Sequence, residues 1–80
     1  MFYAYIIKSV KNSTYYYGHT SNLEARVKQH NLGKTPYTKN LRPWALHYFE
    51  SFATKSGAIT REKFFKSIDG YNWLKSNNII

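Results

Sequence analysis

An arginine and a histidine stand four positions apart in the most unusual stretch of this sequence, residues 14–30, TYYYGHTSNLEARVKQH. On a helix, Arg26 and His30 are neighbours on adjacent turns. They flank the apolar stripe of Leu23 and Val27, so both side chains face the edge of a core. Arginine can fork onto a phosphate, and histidine exchanges a proton near neutral pH. The alternative is a structural pair, a snorkelling arginine beside a hydrogen-bonded histidine.

A lone glutamate falls on the apolar face of a later helix. Ala58, Ile59 and Phe65 define that face, and Glu62 lies three or four positions from each of them. A carboxylate that faces a core is costly unless a cation or hydrogen-bond donors satisfy it. Either Arg26 or another base pairs with Glu62, or the carboxylate binds a metal ion.

The tyrosines of the first two strands are the third unusual feature. Side chains alternate along a strand, so Tyr16 points to the face opposite to that of Tyr15 and Tyr17. If the first two strands pair as a hairpin, Tyr5 and Tyr16 come close. Such a tyrosine pair is usually sheet and core packing, and the two strands alone favour that interpretation.

The net charge of the chain indicates which class of partner it binds. The 80 residues include 12 Lys and Arg against 4 Asp and Glu, a formal charge of +8, and no cysteine. A basic excess of this size on one small domain, predicted to span residues 1–80, is typical of proteins that bind nucleic acid, although it also serves solubility. Without cysteines, neither disulfides nor a thiolate zinc site stabilises the fold. No membrane segment or leader is indicated, so we expect a cytoplasmic protein.

The elements that must position these residues follow from periodicity and turn signals. Strands are predicted over 2–9, 15–19 and 44–52, helices over 21–31, 54–68 and 71–78, and a loop over 31–43. Ser21 and Glu24 suggest a capping box, and Asp69 with Gly70 suggests a helix break. The predicted fold class is α+β, a small three-stranded mainly antiparallel sheet flanked by helices in the order β-β-α-β-α-α.

Taken together, these residues resemble the GIY-YIG nuclease superfamily, and in particular its small stand-alone bacterial members. Its two name-giving motifs correspond to Tyr3-Ala4-Tyr5 and Tyr16-Tyr17-Gly18. Arg26 and His30 match its helix motif, and Glu62 matches its later glutamate. The glycine and isoleucine of the first motif are Tyr3 and Ala4 here, and the isoleucine of the second is Tyr17.

The resemblance implies a metal-dependent endonuclease that hydrolyses DNA phosphodiester bonds, by nicking or single-strand cleavage, in repair, recombination or DNA processing. Glu62 would hold one divalent ion, Mg²⁺ or in its place Mn²⁺. Arg26 would bind the scissile phosphate. Tyr5, its pKa lowered by nearby cations, or else His30, would take the proton of the attacking water, with Tyr16 in the same network.

The resemblance also implies a nucleic-acid partner, most often DNA, with no membrane involved. The residues expected to contact the strand are Lys34, Lys39, Arg42, Tyr37 and Asn72, whereas Trp44 is expected in the core. Relatives often carry a second domain for specificity, so we expect either weak selectivity, a homodimer or a partner protein. The alternatives are a non-catalytic DNA- or RNA-binding module that retains the scaffold, and a small basic structural domain.

Overall fold

A three-stranded antiparallel sheet forms the centre of the computed structural model, which describes all residues 1–80. The central strand is β1 (Phe2–Ser9), with β2 (Tyr15–Thr20) on one side and β3 (Trp44–Phe52) on the other. β1 is rich in β-branched and aromatic residues and is buried on both faces, which suits the middle of a sheet. The predicted hairpin and the third strand are confirmed.

Three helices complete the fold. They are α1 (Leu23–Asn31), α2 (Lys55–Phe65) and α3 (Ile68–Ser76), and a single 3₁₀ turn at Lys39–Leu41 interrupts the long loop before β3. The predicted α+β class and the order β-β-α-β-α-α are therefore confirmed. The longest helix has 11 residues, and none combines the length and hydropathy needed to cross a membrane.

Two helix boundaries differ from the prediction. Asn22, not Ser21, caps α1, because its side-chain oxygen accepts the Ala25 amide at 3.1 Å. Asp69 and Gly70 do not break a helix but lie in the first turn of α3, which Ser67 caps by accepting the Gly70 amide at 3.0 Å. A Cβ at position 70 would lie 1.7 Å from the Phe64 carbonyl oxygen, so glycine is required where α3 turns back onto α2.

The two faces of the sheet carry different cores. Ala4 and Ile6 pack against Phe65 of α2 and Leu74 of α3. Tyr5 and the β1 residues that alternate with Ala4 and Ile6 point to the opposite face of the sheet, where α1 covers them. Alternation along one strand thus separates a purely apolar core from a face that carries Tyr5.

Arg61 links α2 to β3 and α3, and its loss should destabilise the protein. Its guanidinium donates to both oxygens of Glu50, at 2.7 and 3.3 Å, and lies 4.5 Å from the ring centre of Trp73. A charge-assisted hydrogen bond contributes about 1.5–3 kcal/mol and a cation–π contact about 0.5–1 kcal/mol, less where water reaches the pair. We expect Arg61→Ala to lower the free energy of unfolding by about 2 kcal/mol in urea titrations. Lys63→Ala, an exposed neighbour on the same helix, should change it little; equal effects would contradict this role.

Candidate active site

Tyr5 lies opposite a glycine that leaves room for its phenol. In the β1–β2 register, Tyr5 pairs with Gly18. A Cβ at position 18 would lie 2.4 Å from the Tyr5 hydroxyl oxygen and 2.6 Å from Cζ. The absence of a side chain on β2 therefore determines where the Tyr5 hydroxyl lies.

A chain of hydrogen bonds leads inward from that hydroxyl. Tyr5 Oη is 2.8 Å from His30 Nε2, and His30 Nδ1 is 2.8 Å from Thr38 Oγ1. The Thr38 hydroxyl donates to the Thr35 carbonyl at 3.3 Å, so its oxygen accepts from His30 Nδ1–H. This assigns the proton of His30 to Nδ1 and leaves Nε2 to accept from the Tyr5 hydroxyl. His30 is wholly buried with both ring nitrogens occupied.

Arg26 reaches the same hydroxyl from one turn earlier on α1. Its Nε donates to Tyr5 Oη at 3.4 Å, and its Nη1 donates to Gln29 Oε1 at 3.1 Å. The half-buried guanidinium forms no salt bridge with any carboxylate. Its Nη2 makes no hydrogen bond within the protein and is available to bind an anion such as a phosphate. The predicted grouping of Tyr5, Arg26 and His30 is observed.

Burial dominates the protonation of this cluster. Burial raises the pKa of Tyr5 above 10.0, although the hydrogen bond and charge of Arg26 lower it, and the charge of Glu62 raises it further. Arg26 thus lowers the pKa of Tyr5, as expected, but burial outweighs this effect and the pKa is raised overall in the free protein. Burial, followed by the charge of Arg26, lowers the pKa of His30 to about 4, so the imidazole is neutral at physiological pH.

The lowered pKa of His30 should make stability depend on pH. Between pH 6.5 and about 4, the unfolded chain protonates His30 and the folded chain does not. Stability therefore falls as the pH drops through this window, by about 3 kcal/mol at most. Urea titrations of wild type and His30→Gln should show a flatter pH dependence in the variant. The exposed His47→Gln should behave as wild type, and an unchanged slope in His30→Gln would contradict the assignment.

Tyr16 contributes a ring rather than a hydrogen bond. It packs edge-on against His30, with ring centres 5.2 Å apart, and against Trp44 at 6.4 Å. Trp44 is buried in the core, as expected, and donates its indole N–H to the Thr38 carbonyl at 2.8 Å. Tyr17 lies on the other face, 6.2 Å from Phe65. Tyr16 is therefore at the cluster, and it holds His30 in place by packing.

Glu62 approaches the cluster from the α2 side of the sheet. Its Oε1 accepts from His19 Nδ1 at 2.6 Å and its Oε2 from Lys66 Nζ at 2.7 Å. The bases that pair with it are thus His19 and Lys66 rather than Arg26. Burial alone would raise the pKa of Glu62, but these two donors lower it overall. Glu62 makes no hydrogen bond to Tyr5, yet its charge is felt at the phenol.

The residues around Glu62 offer a cation a single carboxylate, so only a hard ion that keeps most of its water would suit them. No three His, Cys, Asp or Glu side chains come together to form a protein-only metal site. Magnesium commonly binds to one or two carboxylates plus waters and substrate phosphates. Both oxygens of Glu62 accept hydrogen bonds here, but the side chain of Lys66 is 51% exposed and free to swing away. Glu62 would then offer one oxygen to the ion.

The residues expected to contact the nucleic-acid strand do not form a single cluster in the fold. Lys39 and Arg42 line a common cavity. Lys34 is exposed and forms no salt bridge, and Tyr37 is 87% exposed on the loop. Asn72 lies exposed on α3 and makes no side-chain hydrogen bond.

Three partners of the cluster were not anticipated. Lys66 follows Glu62 by one helical turn, a spacing that signals an ion pair. His19 shares the face of β2 that Tyr17 occupies, and alternation alone places it toward α2. Thr38 lies in a loop without periodicity, and no sequence signal links it to His30.

Comparisons with known proteins agree with this arrangement. A family model described as the GIY-YIG catalytic domain matches residues 1–72. The UPF0213 protein SH2523 of Staphylococcus haemolyticus is 46% identical over 74 residues, which cover 91% of this chain and 89% of that protein. A UPF0213 protein of Pediococcus pentosaceus is 42% identical over 82 residues, covering 98% and 85%.

The fold also matches a solved structure. The solution NMR structure of the UPF0213 protein BH0048 from Bacillus halodurans aligns with a TM-score of 0.53 and 31% identity, over 95% of this chain and 84% of that one. The motif resemblance is therefore confirmed by sequence and by structure: the chain belongs to the GIY-YIG family.

Proposed function

We propose that this protein is a metal-dependent endonuclease that hydrolyses phosphodiester bonds in DNA, by nicking or single-strand cleavage. One observation carries the proposal: a single phenol, Tyr5, is held between a neutral His30 and the cationic Arg26. A proton-transfer group beside an anion-binding group is what phosphodiester hydrolysis requires.

Each residue has a role that its surroundings favour. Arg26 forks onto the scissile phosphate, and its movement uncovers the Tyr5 hydroxyl, which is otherwise shielded because Tyr5 is only 1% exposed. Both ring nitrogens of His30 are occupied, so it orients Tyr5 through Nε2, whereas movement of Arg26 would open the Tyr5 hydroxyl to water. Tyr5 is the group that faces the attacking water. Of the two proton acceptors that the sequence left open, we therefore propose Tyr5, whose hydroxyl the Arg26 guanidinium contacts.

The electrostatics require a further positive charge. With the pKa of Tyr5 raised and that of His30 lowered, moving a proton from the phenol to the imidazole is unfavourable in the free protein. The charge of Glu62 reaches Tyr5 and raises its pKa, so a cation at Glu62 would act in the opposite direction. A divalent ion there would also polarise a phosphate oxygen and stabilise the leaving 3′ oxygen.

The test is a cleavage assay on single-stranded, duplex and branched DNA of one sequence, with Mg²⁺, with Mn²⁺ or with a chelator. We expect products with 5′-phosphate and 3′-hydroxyl ends in the presence of either ion and none with the chelator. Absence of cleavage on every substrate, with both ions and with a protein that still binds DNA, would contradict the proposal.

The second candidate function is a DNA- or RNA-binding module without catalysis. The observation that favours it is that the groups needed for catalysis are already occupied or shielded. Both oxygens of Glu62 accept hydrogen bonds, and Tyr5 is buried. This alternative predicts salt-dependent binding to nucleic acid and no cleavage. The same assay therefore distinguishes the two.

A further inference from the structure

A basic cavity lies beyond the cluster, between the β1–β2 turn and the loop that precedes β3. Its volume is about 440 Å³, within the range of ligand-sized clefts. No hydrophobic side chain and no carboxylate lines it. The six lining residues, called the basic cradle below, are Lys11, Asn31, Lys39, Asn40, Arg42 and Pro43.

The three cations of the basic cradle have no counter-charge within the protein. The salt bridges of the chain involve only Glu50 and Glu62, with other bases. Arg42 donates its Nε to the Lys39 carbonyl at 2.8 Å, and Lys11 donates to the Asn40 carbonyl at 3.3 Å. The Lys11 ammonium uses one of its three donors in this way, and the Lys39 ammonium and the terminal nitrogens of Arg42 have no hydrogen-bond partner within the protein.

Gly33 completes the positioning of Arg42. Its backbone has a φ of 77°, in the left-handed region, and a Cβ there would lie 2.9 Å from Arg42 Nη1. The guanidinium therefore lies against a bare stretch of backbone after α1. Three positive charges around an open, polar depression, one of them held in place at Arg42, are suited to a phosphate, which can accept from all of them.

We propose that the basic cradle binds a backbone phosphate of the nucleic-acid strand, away from the scissile phosphate. This inference rests on the proposed function, because it assigns the strand's path across the same protein. It adds Lys11, and the joint action of three cations, to the general expectation of a basic loop.

The position of the basic cradle matches a continuous strand. Thr38, which accepts from His30, directly precedes Lys39, and Ser9 donates to the Leu41 carbonyl at 2.7 Å, which fastens the 3₁₀ turn to the end of β1. Tyr5 lies four residues before Ser9 on β1, so these two residues are roughly 13 Å apart at ~3.3 Å per residue. That span corresponds to about four nucleotides of a strand stacked as in duplex DNA, at ~3.4 Å each.

The test measures binding of a labelled 12-nucleotide single strand by fluorescence anisotropy, in chelator, over a series of salt concentrations. The variant is the triple Lys11→Gln, Lys39→Gln, Arg42→Gln. Its matched control is the triple Lys55→Gln, Lys63→Gln, Lys75→Gln, which removes the same charge from exposed positions on α2 and α3. We expect the cradle triple to lose at least tenfold in affinity at low salt, and its slope of log K against log salt to fall by about two. The control should lose less than threefold.

Length provides a second readout. Strands cut back to fewer than about four nucleotides beyond the scissile bond should bind wild type and the cradle triple equally, because they no longer reach the basic cradle. If Arg42→Gln impairs folding, the double variant Lys11→Gln, Lys39→Gln at exposed positions replaces the triple, with a slope change of more than one.

Each outcome has a distinct meaning. Equal losses in the two triples, or wild-type affinity in the cradle triple, overturn the proposal. If a mononucleotide binds wild type as tightly as the 12-mer and loses affinity in the cradle triple, the occupant is a free nucleotide and the strand assignment is wrong. A cradle-dependent affinity without any cleavage by wild type would refute the nuclease function alone, since binding is measured without metal.

Discussion

Replacing Glu62 with glutamine is expected to lower the single-turnover rate of DNA cleavage at least about 10³-fold. Glu62 is the one carboxylate whose charge acts on Tyr5, and it is the residue that would hold the divalent ion. Loss of a Lewis acid costs several kcal/mol in the transition state, and about 4 kcal/mol corresponds to ~10³ in rate. Glutamine keeps the size of the side chain and can still accept from His19 or Lys66.

DNA affinity, measured alongside the cleavage rate, shows whether the variant is impaired in catalysis or in binding. Glu62→Gln removes a negative charge, so its affinity for DNA in chelator should equal or slightly exceed that of wild type. Glu24→Gln is the matched control, the same chemical change at an exposed position in the first turn of α1, and it should cleave at the wild-type rate. A Glu62→Gln protein within tenfold of wild type would show that the carboxylate is structural.

Gly18→Ala is expected to lower the cleavage rate about 100-fold, although it adds a single methyl group. The new Cβ would lie 2.4 Å from the Tyr5 hydroxyl oxygen, so the phenol must move. Tyr5 lies in a packed core and cannot swing freely, and its displaced hydroxyl would lose the 2.8 Å hydrogen bond to His30. A misplacement of about 1 Å at a reacting group costs about 10²-fold in rate. Overpacking should also lower stability by about 1–3 kcal/mol.

The rate and the hydrogen bond can be followed together. Nitrogen chemical shifts of His30 report whether Nε2 still accepts from Tyr5, and they should change in Gly18→Ala. Gly57→Ala adds the same methyl group in α2, where the nearest atom outside the helix backbone, Thr54 Oγ1, lies 3.2 Å away, and should leave both readouts unchanged. A Gly18→Ala protein with the wild-type rate and unchanged His30 shifts would show that the position of the phenol does not matter.

Local pattern accounts for much of the fold. Alternation along β1 placed Tyr5 on one face and Ala4 and Ile6 on the other, because a strand has a period of two that burial enforces. Residues four positions apart lie next to each other on a helix, and this spacing predicted that Arg26 and His30 would be neighbours. The motif order, rather than any single residue, then pointed to the family.

Features that depend on tertiary contacts were not predictable. The break between α2 and α3 falls at Ser67, because the Gly70 backbone must pass close to Phe64, and propensity alone favoured a break at Gly70. The His19 partner of Glu62 comes from β2, which packs against α2 although the two elements are far apart in sequence. The raised pKa of Tyr5 reflects its depth in the fold, a quantity that sequence does not contain.

The same distinction applies to the site. The pairing of Arg26 and His30 was predicted from spacing, and the family resemblance added Tyr5 to them. Thr38 was not predicted, because a loop of 31–43 has no period that would aim its hydroxyl at a histidine. Yet Thr38 determines which ring nitrogen of His30 carries the proton. The contact that determines where the His30 proton lies is therefore visible only in the folded structure.

The central claim is that Tyr5 and Glu62, from opposite faces of the sheet, act in one reaction. The most direct test is the single-turnover cleavage rate of Tyr5→Phe, Glu62→Gln and the double variant, with DNA affinity measured alongside. Groups that act as a unit are strongly non-additive, so the double variant should be about as slow as the slower single variant. Multiplicative losses, or a Tyr5→Phe protein that cleaves at the wild-type rate, would contradict the account.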